Sequence, residues 1–137
     1  MTALLINIDV PDLERGIAFY SAALGLHVAR RLGPDVAELL GAQSPIYLLR
    51  SAPGSAPFPE AASGRDYGRH WTPIHLDFVV ADLDAALARA LAAGATQERE
   101  ASQHAYGRLV VLRDPFGHGV CLLQFNARGY DAMTSPT

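Results

Sequence analysis

The chain has 137 residues, 50% of them hydrophobic and 18% charged, and a net charge of −3. That is the length and composition of one ordinary soluble domain with a core of its own. Its eleven Lys plus Arg are scattered rather than clustered, so nucleic acid is not an expected partner, and its single cysteine, Cys121, excludes an internal disulfide and a cysteine-built zinc site. No run approaches the ~20 apolar residues of a membrane span. The apolar stretch Ala3–Ile8 is too short for a signal-peptide core and no basic residue precedes it. The expected compartment is the cytoplasm.

The chain opens on a strand-like run, Leu5–Val10, followed by Asp12-Leu13 and a helical pattern of Leu13, Ile17, Tyr20 and Leu24 that Gly25 closes. Asp12 is a good N-cap, because its carboxylate can accept the free N–H groups of a first helical turn. Strands are predicted at 26–32, 36–40 and 46–50. The same order then returns. His75–Val80 is strand-like, Asp82 caps a helix carrying Leu83, Leu87, Ala90 and Leu91 on one face, and Gly94 ends it. Strands are predicted at 96–100, 108–113 and 120–125. The offset is 70 residues at all three anchors, Leu5/His75, Val10/Val80 and Asp12/Asp82, so the chain reads as a repeat. Each copy is β-α-β-β-β and too small to bury much alone, so the two are expected to share a core. The predicted organisation is one α+β domain over 1–137. Module one spans about 3–50, a linker 51–72, module two about 73–125, and a frayed tail 126–137.

The linker is rich in Pro, Gly, Ala and Ser and carries Phe58, Tyr67, His70 and Trp71. It is long for a loop in a compact domain. Phe58 reads as a surface pin. Trp71, just before the strand that begins near His75, reads as overhanging a pocket.

Val10-Pro-Asp-Leu-Glu-Arg-Gly-Ile-Ala-Phe-Tyr20 with Ala23-Leu-Gly-Leu26, His75 to Ala86, and Asp114-Pro-Phe-Gly-His118 leading into Val120 to Gln124 together resemble the vicinal oxygen chelate superfamily of glyoxalases, bleomycin-resistance proteins and ring-cleaving dioxygenases. The resemblance covers nearly the whole chain apart from linker and tail. It implies two βαβββ modules forming a cupped, incompletely closed eight-stranded mixed-sheet barrel around a ligand cavity, often completed in a homodimer. In metal-using members four strand positions aim ligands into that cavity. Here they fall on Leu5, Tyr47, His75 and Cys121.

Leucine has no donor atom and tyrosine seldom binds divalent metals, so His75 and Cys121 are too few for a tight iron, manganese, nickel or zinc site. No metal or other cofactor is favoured. The remaining metal option pairs His75 and Asp77, two apart on a strand, with a distal histidine such as His104 or His118. Strand alternation puts Leu5, Asn7 and Asp9, and His75, Asp77 and Val79, on the cavity face. Ile6, Ile8, Val10, Leu76, Phe78 and Val80 then face the helices. The expected pocket is Leu5, Asn7, Asp9, Tyr47, Trp71, His75, Asp77 and Cys121. An alternative pairs Asp9 and Asp77 with Arg113 or Arg108. Cys121 reads as an apolar filler, and His118 and His27 as exposed.

Phosphate-cradling glycine motifs and a nucleophile elbow are absent. The expected function is small-molecule binding, with or without catalysis: in a metal-independent enzyme, since imidazoles titrate near neutral pH, His75 would serve as general acid or base and Tyr47 as proton donor or oxyanion partner. One alternative is a non-catalytic protein that sequesters an antibiotic or metabolite. The acidic balance and the linker aromatics would suit a cationic, partly aromatic ligand. A further alternative is a metal-dependent lyase or ring-cleaving dioxygenase.

Overall fold

The computed structural model describes residues 1–136. Both predicted helix starts are in place. In α1 (Leu13–Leu24) and α2 (Leu83–Ala93), Asp12 and Asp82 accept from Arg15 N and Ala85 N, each at 3.1 Å, and Gly25 and Gly94 form the C-caps. Gln124 Oε1 adds a further acceptor for Leu83 N at 2.7 Å. Module one adds β1 (Ile6–Val10), β2 (His27–Arg31), β3 (Val36–Leu40) and β4 (Ile46–Arg50), in sheet order β1-β4-β3-β2. Module two adds β5 (Leu76–Val79), β6 (Thr96–Gln97), β7 (Ser102–His104), β8 (Gly107–Arg113) and β9 (Gly119–Phe125), in order β5-β9-β8-β6, with β7 also on β8.

The repeat extends to register. The opening strand of each module runs parallel to its last strand, and Ile6↔Ile46 and Asn7↔Tyr47 correspond to Leu76↔Val120 and Asp77↔Cys121. The strand expected at 96–100 is interrupted. β6 pairs with Arg113 and Leu112, β7 with Leu109 to Gly107, and residues between them leave the ladder. The two together occupy one strand's place, which keeps each module at four positions.

The expected eight-stranded barrel resolves into two mixed sheets of four and five strands, and no ladder joins them among the described residues. Edge strands β1 and β5 instead flank a common cavity. The modules share one core behind the sheets, where α1 packs on α2 and the cluster runs from Val10, Phe19 and Leu48 to Leu83, Ala86 and Leu122. Gly16 lets α1 lie close on its sheet, since a Cβ there would stand 3.2 Å from Leu48 and 3.3 Å from Val10. Leu91, expected on the buried face of α2, is 40% exposed. The face that meets α1 is built from Leu83 and the small residues Ala86 and Ala90.

One polar motif joins the modules and another pins the linker. Tyr20 of α1, fully buried, donates to Asp114 Oδ2 at 2.6 Å. Asp114 Oδ1 also accepts Phe116 N and His118 N, so its buried carboxylate is satisfied from three sides. The linker is pinned: Arg65 pairs with Asp9 at 2.9 Å, and Tyr67 Oη donates to Ser51 O at 2.7 Å. Gly117 (φ +81°) passes the linker so closely that a Cβ would meet Gly68 O at 1.9 Å, so only glycine fits this turn. The tail expected to fray instead forms a 3-10 helix, Gly129–Met133, and Tyr130 packs edge-on against Phe125 and Tyr106.

Candidate functional site

Module two presents His75, Asp77 and Val79 outward from β5, and Cys121 from β9 beside Asp77. His75 Nδ1 lies 3.1 Å from Asp77 Oδ1. A carboxylate only accepts, so the bond places a proton on Nδ1, and in the neutral imidazole Nε2 then carries the lone pair. His75 and Asp77 remain about one-third exposed while Cys121 is buried. Burial first, and then the neighbouring Asp77 carboxylate, push the Cys121 thiol up to about 11. The Trp71 ring lies 5.1 Å from that of His75 and also lies over Gly119. Trp71 therefore overhangs the site, whereas Phe58 is simply exposed.

The matching positions of module one are Leu5, Asn7 and Tyr47. Tyr47 stands where module two has Cys121, but its hydroxyl donates to Glu38 Oε2 at 2.6 Å. Glu38, almost fully buried, also takes two bonds from Arg30 at 2.7 and 2.8 Å. The Arg30 guanidinium and then the Tyr47 hydroxyl hold the Glu38 carboxyl down at about 2. The same bond raises the Tyr47 phenol, so the proton expected for donation to substrate is held by Glu38. Leu5 and Asn7 border the cavity. The sequence reading missed Glu38. Its signal was a carboxylate inside the apolar run Val36–Leu40, in register with Tyr47.

A cavity of about 470 Å³ lies at the seam of the modules, lined by Leu5, Asn7, Ile74, His75, His118 and Val120 among others. That is the size of a small-ligand site. Polar residues were expected to dominate it, but its wall is mainly aliphatic. Asp9 is drawn off by Arg65 rather than by Arg113 or Arg108, which pair with Glu98 and Asp84. His27 is exposed as expected, but His118 is not. Its Nε2 lies 2.7 Å from Asp9 O and its Nδ1 2.9 Å from His70 Nε2, whose Nδ1 lies 2.7 Å from Gly68 O. Carbonyls cannot donate, so each of these outer hydrogen bonds uses a proton on the ring nitrogen. The histidines tie linker, turn and β1 together at the cavity wall.

A family model for the glyoxalase-like domain matches residues 5–123. The chain belongs to the glyoxalase-like family. It is thereby a member of the vicinal oxygen chelate superfamily, and solved structures agree on the fold. A glyoxalase/bleomycin resistance protein/dioxygenase family enzyme from Burkholderia phytofirmans PsJN superposes with a TM-score of 0.68 at 22% identity, over 89% of this chain and 97% of the other. A glyoxalase-related enzyme from Fulvimarina pelagi gives 0.70 at 19%, covering 94% of each chain. A genomically encoded fosfomycin resistance protein from Listeria monocytogenes gives 0.70 at 17%, over 93% and 96%. No curated protein matches the chain in sequence.

A metal site of the superfamily's kind draws ligands from both modules. This glyoxalase-like chain does not fit that pattern, because Leu5 offers no donor and Tyr47 is engaged by Glu38. Neither His104 nor His118 belongs to the donor group that holds His75 and Asp77. His104 stacks flat on Tyr106 at 4.9 Å and contacts Ser102, and His118 is engaged as above. The one group of three donor residues among those described is His75, Asp77 and Cys121, with ligand atoms within 4.8 Å of one another, all from module two. Without a cation its thiol is held protonated, so a metal bound there would have to displace that proton.

Proposed function

We propose that this glyoxalase-like protein binds a small organic molecule at the seam of its modules and moves a proton on it with His75, without a resident metal, in the cytoplasm. The bond between His75 and Asp77 carries this reading. It orients the imidazole and directs the Nε2 lone pair to the role of base, and it borders a cavity with a mainly aliphatic wall. Positioned acid–base catalysis of this kind contributes on the order of 10²–10⁴-fold in rate. Leu5, Trp71, Ile74 and Val79 are each more than half exposed around the site, which supports a second copy of the chain covering it. A strictly monomeric mass by sedimentation would remove that part of the proposal.

Sequestration without chemistry is the second reading, favoured by Trp71 lying against His75 as a stacking surface. A fosfomycin resistance protein shares the fold. Trp71 is the only tryptophan, so its fluorescence reports directly on occupancy. A metabolite and antibiotic panel screened by Trp71 emission should yield a ligand that wild type converts and His75→Ala binds without converting. Equal turnover by His75→Ala would overturn the catalytic reading, and binding with no conversion by either protein would favour sequestration. Stoichiometric iron, manganese, nickel or zinc in purified active protein would revive the metal-dependent lyase or dioxygenase.

A further inference from the structure

Beyond the seam cavity, a second hollow of about 630 Å³ shares His75 and Cys121 with the site and opens over the strands β8 and β9. Its wall holds three guanidinium groups, Arg69, Arg99 and Arg113, against one carboxylate, Glu98. Glu98 accepts Arg69 at 2.8 and 3.3 Å and is in close contact with Arg113 as well. One carboxylate cannot neutralise both. A second anion among these guanidiniums would take up the positive charge that Glu98 leaves over. Arg99 has no ion pair among the described residues, yet its charge acts on the Cys121 thiol from across the hollow. Leu109 and Val111 supply an apolar floor and Trp71 a side wall. The chain as a whole is acidic, and its charge sum pointed to a cationic ligand. The local balance at this hollow is the reverse.

We propose that the hollow takes an amphipathic carboxylate, with its anionic end among Arg69, Arg99 and Arg113 and its carbon skeleton on Leu109, Val111 and Trp71. This rests on the reading of His75 as the centre of the site, since the bound skeleton then runs from the arginines toward that imidazole. Attraction between exposed charges in such a mouth weakens with salt, and a planar guanidinium matches a carboxylate with two parallel bonds. A neutral ligand of the same shape gains neither.

The test uses benzoate, phenylacetate and 3-phenylpropionate, each beside its own amide, titrated by calorimetry and Trp71 fluorescence. At least one acid should bind ten or more times tighter than its amide, and the gap should shrink as salt is raised. Arg99→Gln should abolish most of the gap. Arg99 is exposed and only its backbone carbonyl is engaged, so this variant keeps the fold. Acids that bind no better than amides, acids that do not bind at all, or a gap that survives Arg99→Gln overturn the proposal. Acid selectivity that persists while His75→Ala retains full turnover would instead sink only the acid–base reading of His75.

Discussion

The two modules carry the same backbone at the seam and opposite chemistry on it. Leu5, Asn7 and Tyr47 in the first correspond to His75, Asp77 and Cys121 in the second, down to the paired register of the strands that bear them. In the second module the carboxylate beside the opening residue orients a histidine. In the first, the aromatic hydroxyl turns sideways along its sheet to a buried glutamate held by Arg30. One copy keeps a reactive group facing the cavity, and the other spends its polar residues on holding its own sheet together. Duplication thus fixes where side chains point and leaves open what they do.

The contrast can be broken most sharply at Cys121. A thiol pushed to about 11, against an ordinary value of 9.0, has roughly one hundredth of the usual thiolate at neutral pH. Iodoacetamide should modify it about 100-fold more slowly than a free cysteine, and a rate equal to that of glutathione would mean that the thiol is not shifted. Next comes the bond that holds the unlike copies together. Tyr20→Phe leaves the buried Asp114 one donor short and should cost about 1.5–3 kcal/mol in urea unfolding. A loss below about 0.5 kcal/mol would mean the modules dock by apolar packing alone. The smallest effect concerns Glu38. Its folded value of about 2 lies below the ordinary 4.5, so its stabilisation is complete above about pH 4.5 and fades as pH falls toward 2. Glu38→Gln should flatten the melting temperature across that acid range, and a slope identical to wild type would remove Glu38 as its source.

Much of this was legible in the chain. Helix caps, the 70-residue offset and strand alternation follow from local chemistry, so Asp12, Asp82 and Gly25 are where the sequence puts them, and His75 and Asp77 share one face. What escaped are interactions between segments far apart in sequence. Asp9 meets Arg65 across 56 residues, Tyr20 meets Asp114 across 94, and His118 reaches Asp9 across 109. No periodicity encodes such partners. The order in the tail was missed for a related reason, since Tyr130 is held by aromatic rings on β9 and beside β8, not by its own polar neighbours. The arginine-lined hollow was hidden by counting charge over the whole chain, because Arg69, Arg99 and Arg113 lie in three separate segments.

The central claim is that chemistry resides in the second module and structure in the first. Once a converted ligand is in hand, the direct test is to measure kcat/KM for His75→Ala and Tyr47→Phe side by side. The structure predicts a loss of at least about 100-fold for His75→Ala and a change within about threefold for Tyr47→Phe, whose hydroxyl serves Glu38. A large loss in Tyr47→Phe with His75→Ala near wild type would contradict it.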